Sequence, residues 1–201
     1  FICTPDPTHY TICKAVSEKG YNVLLEKPIA TSLADCLALL DVEHTYANRI
    51  FVAHVLRYSP FFRKVREIIR GGELGSIRNI WLSENVGYWH FAHSYVRGNW
   101  RRREDSAPVI LTKSCHDLDI LNWLLERRVD SVVSFGELSY FRAEHAPPEA
   151  ADRCVDCPLE DRCLYSATRF YLNDRDEWPF NVIGRGRDSV DARRRAVVEG
   201  Q

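Results

Sequence analysis

The sequence lacks an excess of charge of either sign, and it lacks long apolar runs. Its 27 Lys and Arg residues nearly balance its 28 Asp and Glu residues, which gives a formal net charge of −1. A near-neutral chain offers no electrostatic reason to bind nucleic acid or an anionic membrane surface, and we expect neither partner. No apolar run approaches the roughly 20 residues that a bilayer-spanning helix needs.

Methionine is absent as well, and the chain opens at Phe1 inside an apolar run that is typical of a strand interior. We therefore expect further chain before Phe1, and any targeting signal would belong to that part. What the sequence does contain is ordinary globular composition. Its 201 residues, 45% of them hydrophobic, allow one large domain or two small ones with a sizeable core.

Four of the seven cysteines stand singly in apolar or helical settings, where a free thiol behaves as a small buried hydrophobe. They are Cys3, Cys13, Cys36 and Cys115. Scattered thiols suit a reducing compartment, and we expect a cytoplasmic location.

The other three cysteines lie in a Pro-rich and Asp-rich insertion that we predict over residues 144–164. Cys154, Cys157 and Cys163 have spacings that could hold zinc or an iron–sulfur cluster, with His145 as the nearest fourth ligand. Free or redox-labile thiols on a loop are the other interpretation, and the sequence leaves both open.

The pattern of strands and helices changes near residue 57. Before it, apolar runs at 1–3, 21–25 and 50–55 alternate with helical spacing, which predicts a parallel, doubly wound sheet with crossover helices. After it, long predicted strands at 77–86 and 129–141 indicate a second, mostly antiparallel sheet. We therefore predict an α/β fold with one domain over residues 1–57 and an α+β domain over residues 58–201.

Two polar turns follow predicted strands, where ligands bind in doubly wound sheets. They are the turn from Thr4 to His9 and the turn Glu26-Lys27-Pro28. A lysine held beside a glutamate at a strand end can relay a proton or donate a hydrogen bond to a reacting oxygen. A lysine in a surface turn is the competing interpretation of Lys27, and it is the more frequent one.

A second polar group lies at the start of the helix predicted from residue 116. Asp119 falls on the same helix face as His116, where a carboxylate can fix the imidazole tautomer and raise its basicity. Such a histidine can act as the general base that removes a hydroxyl proton. The alternative is a capping Ser114 followed by a polar first turn, and local chemistry does not choose between them.

The stretch from Tyr88 to Trp100 is rich in aromatic and basic residues, among them Arg97. Sugar and polyol pockets need a flat apolar wall with convergent donors, and this composition supplies both. A strand edge with a loop is the alternative.

In order along the chain, these motifs resemble the Gfo/Idh/MocA oxidoreductases, which are named for glucose–fructose oxidoreductase and inositol dehydrogenase. The residues that carry the resemblance are Thr4-Pro5 with His9, Glu26-Lys27-Pro28, His54 with Arg57-Tyr58, Gly72 with Leu74-Gly75, and His116 with Asp119. The resemblance implies the C-terminal part of an NAD(P)-binding Rossmann domain over 1–57. Over 58–201 it implies a substrate and oligomerisation domain with a large antiparallel sheet. It also implies hydride transfer between NAD or NADP and a secondary alcohol of a sugar or polyol, in a homo-oligomer.

The resemblance implies roles for individual residues. Lys27 would be the catalytic lysine, preceding a cis peptide to Pro28, and His116 would take the substrate hydroxyl proton. The implied cofactor contacts are Thr4, Pro5, His9, Glu26, Lys27 and Pro28. The predicted substrate contacts are Arg57, Tyr58, Arg97, Trp100, Lys113 and Asp119.

Two departures from the family pattern matter. Many relatives carry an aspartate four residues before the active-site histidine, where this chain has Thr112. The family's Gly-rich phosphate-binding loop is absent from residues 1–201, and its last strands are implied to follow Gln201. We therefore expect a piece of a longer protein that binds cofactor weakly by itself. The alternative function is a non-catalytic, cofactor-binding or sugar-binding regulator of the same fold.

Overall fold

The computed structural model describes residues 1–173, 175, 177–183 and 190–199. Its two strands are β1 (Val23–Leu25) and β2 (Ile50–Val52). Its α-helices are α1 (His9–Ser17), α2 (Leu33–Tyr46), α3 (Pro60–Arg70), α4 (Tyr88–Phe91), α5 (Val109–Thr112), α6 (Cys115–Leu125), α7 (Ala167–Tyr171) and α8 (Val190–Glu199). Short 3-10 helices cover Asp6–Thr8, Val55–Tyr58, Ala143–His145 and Cys154–Asp156, and a π-helical turn covers Ala92–Val96.

The chain forms two compact units. One comprises Phe1–Val86 with Arg97–Val133, and the other comprises Gly87–Val96 with Ser134–Gln201. These compact units do not coincide with the two domains predicted on either side of residue 57. That domain division stays a prediction. None of the described helices is long and apolar enough to cross a bilayer.

A small parallel sheet organises the first unit. β1 pairs in parallel with β2, with Val23 opposite Ile50, and Ile2 forms a parallel bridge to Leu25 on the other side of β1. The carboxyl ends of all three segments therefore lie at one edge of the sheet. This confirms the predicted parallel α/β arrangement and brings the turns that follow the three segments together.

Apolar spacing explains how the helices cover this sheet. Cys13 of α1 and Leu39 of α2 are buried against Val23 and Leu25 of β1. Ser32 caps α2, because its Oγ accepts the Asp35 amide at 3.1 Å.

Helices α3 and α6 pack together in the same unit. Ser59 caps α3, since its Oγ accepts the Phe62 amide at 3.3 Å. The guanidinium of Arg66 lies 4.2 Å from the centre of the Trp123 ring, and Ile120 and Leu124 are buried. α6 therefore has one face fixed by packing, which holds its first turn in place.

The strands predicted at 77–86 and 129–141 are not formed. Both segments lack regular secondary structure, except for a turn at the end of the second, and side chains such as Trp81 (90% exposed) and Phe135 (94% exposed) face solvent. A strand needs a neighbouring backbone to bond to, and the described residues provide none for either segment. The large antiparallel sheet is therefore not observed among them.

The second unit is built around aromatic side chains. Phe170 and Tyr171 of α7 are buried, and the ring centres of Phe170 and Phe180 lie 4.7 Å apart. His93 Nδ1 lies 2.6 Å from the Tyr171 hydroxyl. Trp89 packs edge-on to Trp178.

In the part of the chain that the structure describes, the cysteine cluster does not form the metal site that its spacing left open beside the free-thiol interpretation. Cys154, Cys157 and Cys163 are free thiols, and no three His, Cys, Asp or Glu side chains there gather in an arrangement that could hold a metal ion. The segment is closed by its own backbone instead. The Cys157 amide donates to the Cys154 carbonyl at 3.3 Å, and the Cys163 amide donates to the Leu159 carbonyl at 2.9 Å.

Candidate active site

Lys27 follows β1 at the carboxyl edge of the sheet. Its Nζ donates a hydrogen bond to the Thr112 carbonyl oxygen at 2.8 Å, which ties it to the end of α5. The Glu26 carboxylate accepts the Lys27 backbone N–H at 3.2 Å. The Lys27–Pro28 peptide is cis, as the resemblance implied. Thr112 thus binds the lysine through its backbone carbonyl.

His116 lies in the first turn of α6 and is partly buried. Its Nδ1 is buried and, among the described residues, has no hydrogen-bond partner. Burial lowers the pKa of His116 below its usual value, and the positive charges of Lys27 and Lys113 lower it further, with His54 adding to the effect. The Asp119 carboxylate opposes this shift. A neutral imidazole next to an ammonium group can accept a proton from a hydroxyl.

Asp119 contacts a different partner from the one expected. Its side chain is 10% exposed, and both of its oxygens bind Arg57, with Oδ2 accepting Arg57 Nε at 2.7 Å and Oδ1 accepting Nη2. No hydrogen bond joins Asp119 to His116 in the described part of the chain. The i,i+3 spacing is correct, but the guanidinium matches the carboxylate in shape and charge and takes both oxygens.

His54 belongs to the same cluster, although no role was predicted for it beyond its place in the family pattern. It follows β2 at the carboxyl edge, and its Nε2 lies 3.8 Å from Asp119 Oδ1. Its ring meets the His116 ring edge to face, with the centres 5.9 Å apart. Burial lowers the pKa of His54, as do Arg57 and Lys27, while Asp119 raises it.

The turn after Ile2 is built around two buried polar residues. His9 is fully buried, with Nδ1 2.7 Å from the Pro28 carbonyl and Nε2 2.9 Å from the Thr4 carbonyl. It joins the two turns and has no exposed surface with which to contact a cofactor. Asp6, which the sequence analysis missed, accepts the Trp100 indole N–H at 2.9 Å.

The remaining predicted residues occupy varied positions. Thr4 and Pro5 are exposed at the sheet edge, where a ligand can reach them. Lys113 pairs with Glu84 at 3.2 Å, Tyr58 is 78% exposed, and Arg97 is partly buried. The structure thus brings together Lys27, Arg57, His116 and Asp119.

Two family models match the chain. One, described as an oxidoreductase family with an NAD-binding Rossmann fold, matches residues 1–54. The other, the GFO/IDH/MocA C-terminal domain, matches residues 62–160.

Curated relatives point the same way. Over 164 residues the chain is 30% identical to YteT of Bacillus subtilis, named as an oxidoreductase, covering 80% of this chain and 38% of that protein. Over 130 residues it is 29% identical to inositol 2-dehydrogenase 3 of Saccharopolyspora erythraea, covering 64% of this chain and 34% of that protein. The chain therefore spans little more than a third of the length of these relatives.

The fold also matches a solved structure, that of an inositol dehydrogenase homolog complexed with NAD⁺ from Azotobacter vinelandii. The TM-score is 0.55 at 24% identity, covering 62% of this chain and 33% of that chain. At this identity the match supports the fold alone.

Proposed function

Because the chain belongs to the Gfo/Idh/MocA oxidoreductase family, we propose that the protein transfers hydride between NAD(P) and a secondary alcohol of a sugar, polyol or related compound. The observation that carries this proposal is that Lys27, at the carboxyl edge of a parallel sheet, is hydrogen-bonded to the end of α5 and lies near enough to His116 for its charge to lower the pKa of that imidazole. Ligands of doubly wound sheets bind at that edge.

The two side chains have complementary tasks. His116 accepts the hydroxyl proton, because its lowered pKa leaves the imidazole neutral at neutral pH. Lys27, fixed by the Thr112 carbonyl, donates a hydrogen bond to the reacting oxygen. The exposed Thr4-Pro5 turn and Glu26 would border the cofactor, which supplies a hydride acceptor when bound.

A polyol such as an inositol is the substrate class that we favour. Inositol 2-dehydrogenase 3 of Saccharopolyspora erythraea is among the similar proteins. Arg57, Tyr58, Arg97 and Trp100 are the proposed pocket residues. We further propose that the protein assembles with copies of itself.

The test is nicotinamide reduction by the purified protein with a panel of inositols and sugars. We expect Lys27→Ala and His116→Ala each to lower kcat/KM by about 10²- to 10⁴-fold, which is the usual contribution of a positioned acid or base to the rate. Lys19→Ala changes an exposed lysine and should keep full activity. Circular dichroism would confirm that all three variants fold.

Full turnover in both active-site variants would refute these roles. Cofactor binding without hydride transfer to any compound would instead favour a non-catalytic regulator, the function that the aspartate missing at Thr112 keeps open.

A further inference from the structure

Two histidines from different elements meet in the candidate active site. His54 follows β2 and His116 begins α6, yet their rings touch edge to face with centres 5.9 Å apart. The role proposed for His116 leaves His54 unexplained. A second imidazole beside a general base is chemically active, because it can accept or donate a proton at neutral pH.

Both rings carry an unsatisfied nitrogen. Nδ1 of His54 and Nδ1 of His116 are buried, and the described residues supply neither with a hydrogen-bond partner. A buried polar atom without a partner costs about 1–3 kcal/mol. Within the described part of the chain no direct hydrogen bond joins these two nitrogens, and a single water bridging the rings would satisfy both atoms.

The surroundings fix how such a pair is oriented. His54 Nε2 faces the Asp119 carboxylate, which favours a proton on Nε2 and leaves Nδ1 as an acceptor. Arg57 binds both Asp119 oxygens and so fixes the carboxylate. His116 can then donate from Nδ1 through the bridging water to His54 and keep Nε2 open to receive a proton.

The charges around the pair limit it to one added proton. Lys27, Arg57 and Lys113 are cationic neighbours of one or both rings, and Asp119, itself paired with Arg57, is the anionic one. Two imidazolium ions in contact would repel each other in this cationic setting. A single proton can be shared.

We propose that His54 is a positioning residue that shares the proton received by His116, with its ring held by the Arg57–Asp119 pair. The proposal rests on the proposed function, in which His116 is the base. The alcohol loses its hydroxyl proton to His116 Nε2, and the proton already on His116 Nδ1 moves toward His54 Nδ1. The alcohol O–H bond breaks as the N–H bond at His116 Nε2 forms, and the nicotinamide of the proposed function takes the hydride from the carbinol carbon. The N–H bond at His116 Nδ1 is replaced, through the bridging water, by one at His54 Nδ1, and Asp119 faces the charge that arrives there.

The decisive experiment is an NMR titration of the histidine rings in the purified protein. The sequence has seven histidines, so selective labelling with assignment by substitution resolves His54 and His116. In the wild type we expect coupled, two-step titrations of these two rings. His54→Phe keeps an aromatic ring but removes both nitrogens. It should lower the pKa of His116 by about one unit, a tenfold loss of basicity, because loss of the shared proton outweighs relief of the repulsion by which His54 lowers that pKa.

Two further variants sharpen this titration. His54→Asn keeps a polar group near the Nδ1 position and should recover part of the lost basicity. His44→Gln alters an exposed histidine of α2 and should leave His116 unchanged. An unchanged or raised pKa of His116 in both His54 variants would overturn the proposal, since simple crowding or repulsion by His54 would be relieved by its removal.

The pH dependence of kcat gives the functional readout. In His54→Phe we expect the acid limb to move to lower pH and kcat to fall about tenfold, with KM within about twofold of wild type. An acid limb that moves to higher pH would contradict the shared proton. If the wild type transfers no hydride to any compound, the proposed function fails, while the NMR titration still decides whether the pair exists.

Discussion

Lys27, His54 and His116 come from three elements of the first unit, and the charges around them decide their protonation. Lys27 is tied to the Thr112 carbonyl, and the two imidazoles lie near it with lowered pKa values. Asp119 is the nearby anion, and Arg57 holds it in place. The residues therefore form a site with neutral bases beside fixed cations, which suits removal of a proton from an uncharged alcohol.

The lowered pKa values of His54 and His116 predict how stability depends on pH. Both lie below the ordinary value of 6.5 because of burial, so the unfolded chain binds more protons in the range just below 6.5. The stability that these residues contribute is complete above that value and is lost as pH falls through the lowered values. We expect the urea concentration at the midpoint of unfolding to decrease as the pH is lowered from about 7 to about 5.

The matched variants for this measurement are His116→Gln and His44→Gln. The first removes one of the two buried groups and should make the fall with pH shallower. The second changes an exposed histidine and should not alter it. If the urea midpoint decreased equally with pH in the wild type and in His116→Gln, burial of this ring would not oppose its protonation.

At the scale of elements, the sheet edge depends on a contact between two turns. His9 of α1 joins the Pro28 and Thr4 carbonyls, and both contacts are buried or nearly so. We expect His9→Leu to lower the free energy of unfolding by about 2–4 kcal/mol, because it leaves two carbonyls without their partner. Urea denaturation measures this, and His44→Leu should change the free energy by less than about 0.5 kcal/mol. A His9→Leu variant as stable as wild type would mean that the turns do not depend on this ring.

Local patterns predicted β1, β2, the helices that alternate with them, and α6, because apolar spacing acts within a few residues. The strands at 77–86 and 129–141 were predicted by the same rule and did not form, because a strand also needs a partner. Arg57 and Asp119 are 62 residues apart, and no spacing rule could pair them. His54 was missed as a site residue for the same reason, since its neighbours come from α6.

At the scale of the whole molecule, two family models match most of the chain, which spans little more than a third of its curated relatives. The family and the Rossmann-like fold follow from these matches, while the substrate and assembly are proposals. Cysteine spacing left a metal site open as one of two interpretations, and the described residues do not form it. Spacing indicates which ligands are available, but the backbone decides whether they converge.

The most direct test of the central claim is to follow hydride from substrate carbon to cofactor. The purified protein would be incubated with NAD⁺ or NADP⁺ and a polyol deuterated at its carbinol carbons, and the reduced cofactor analysed by mass spectrometry. We predict one deuterium in each reduced nicotinamide and loss of this product in Lys27→Ala and His116→Ala. Cofactor that stays oxidised across the polyol panel, or that is reduced without gaining deuterium, would contradict the account.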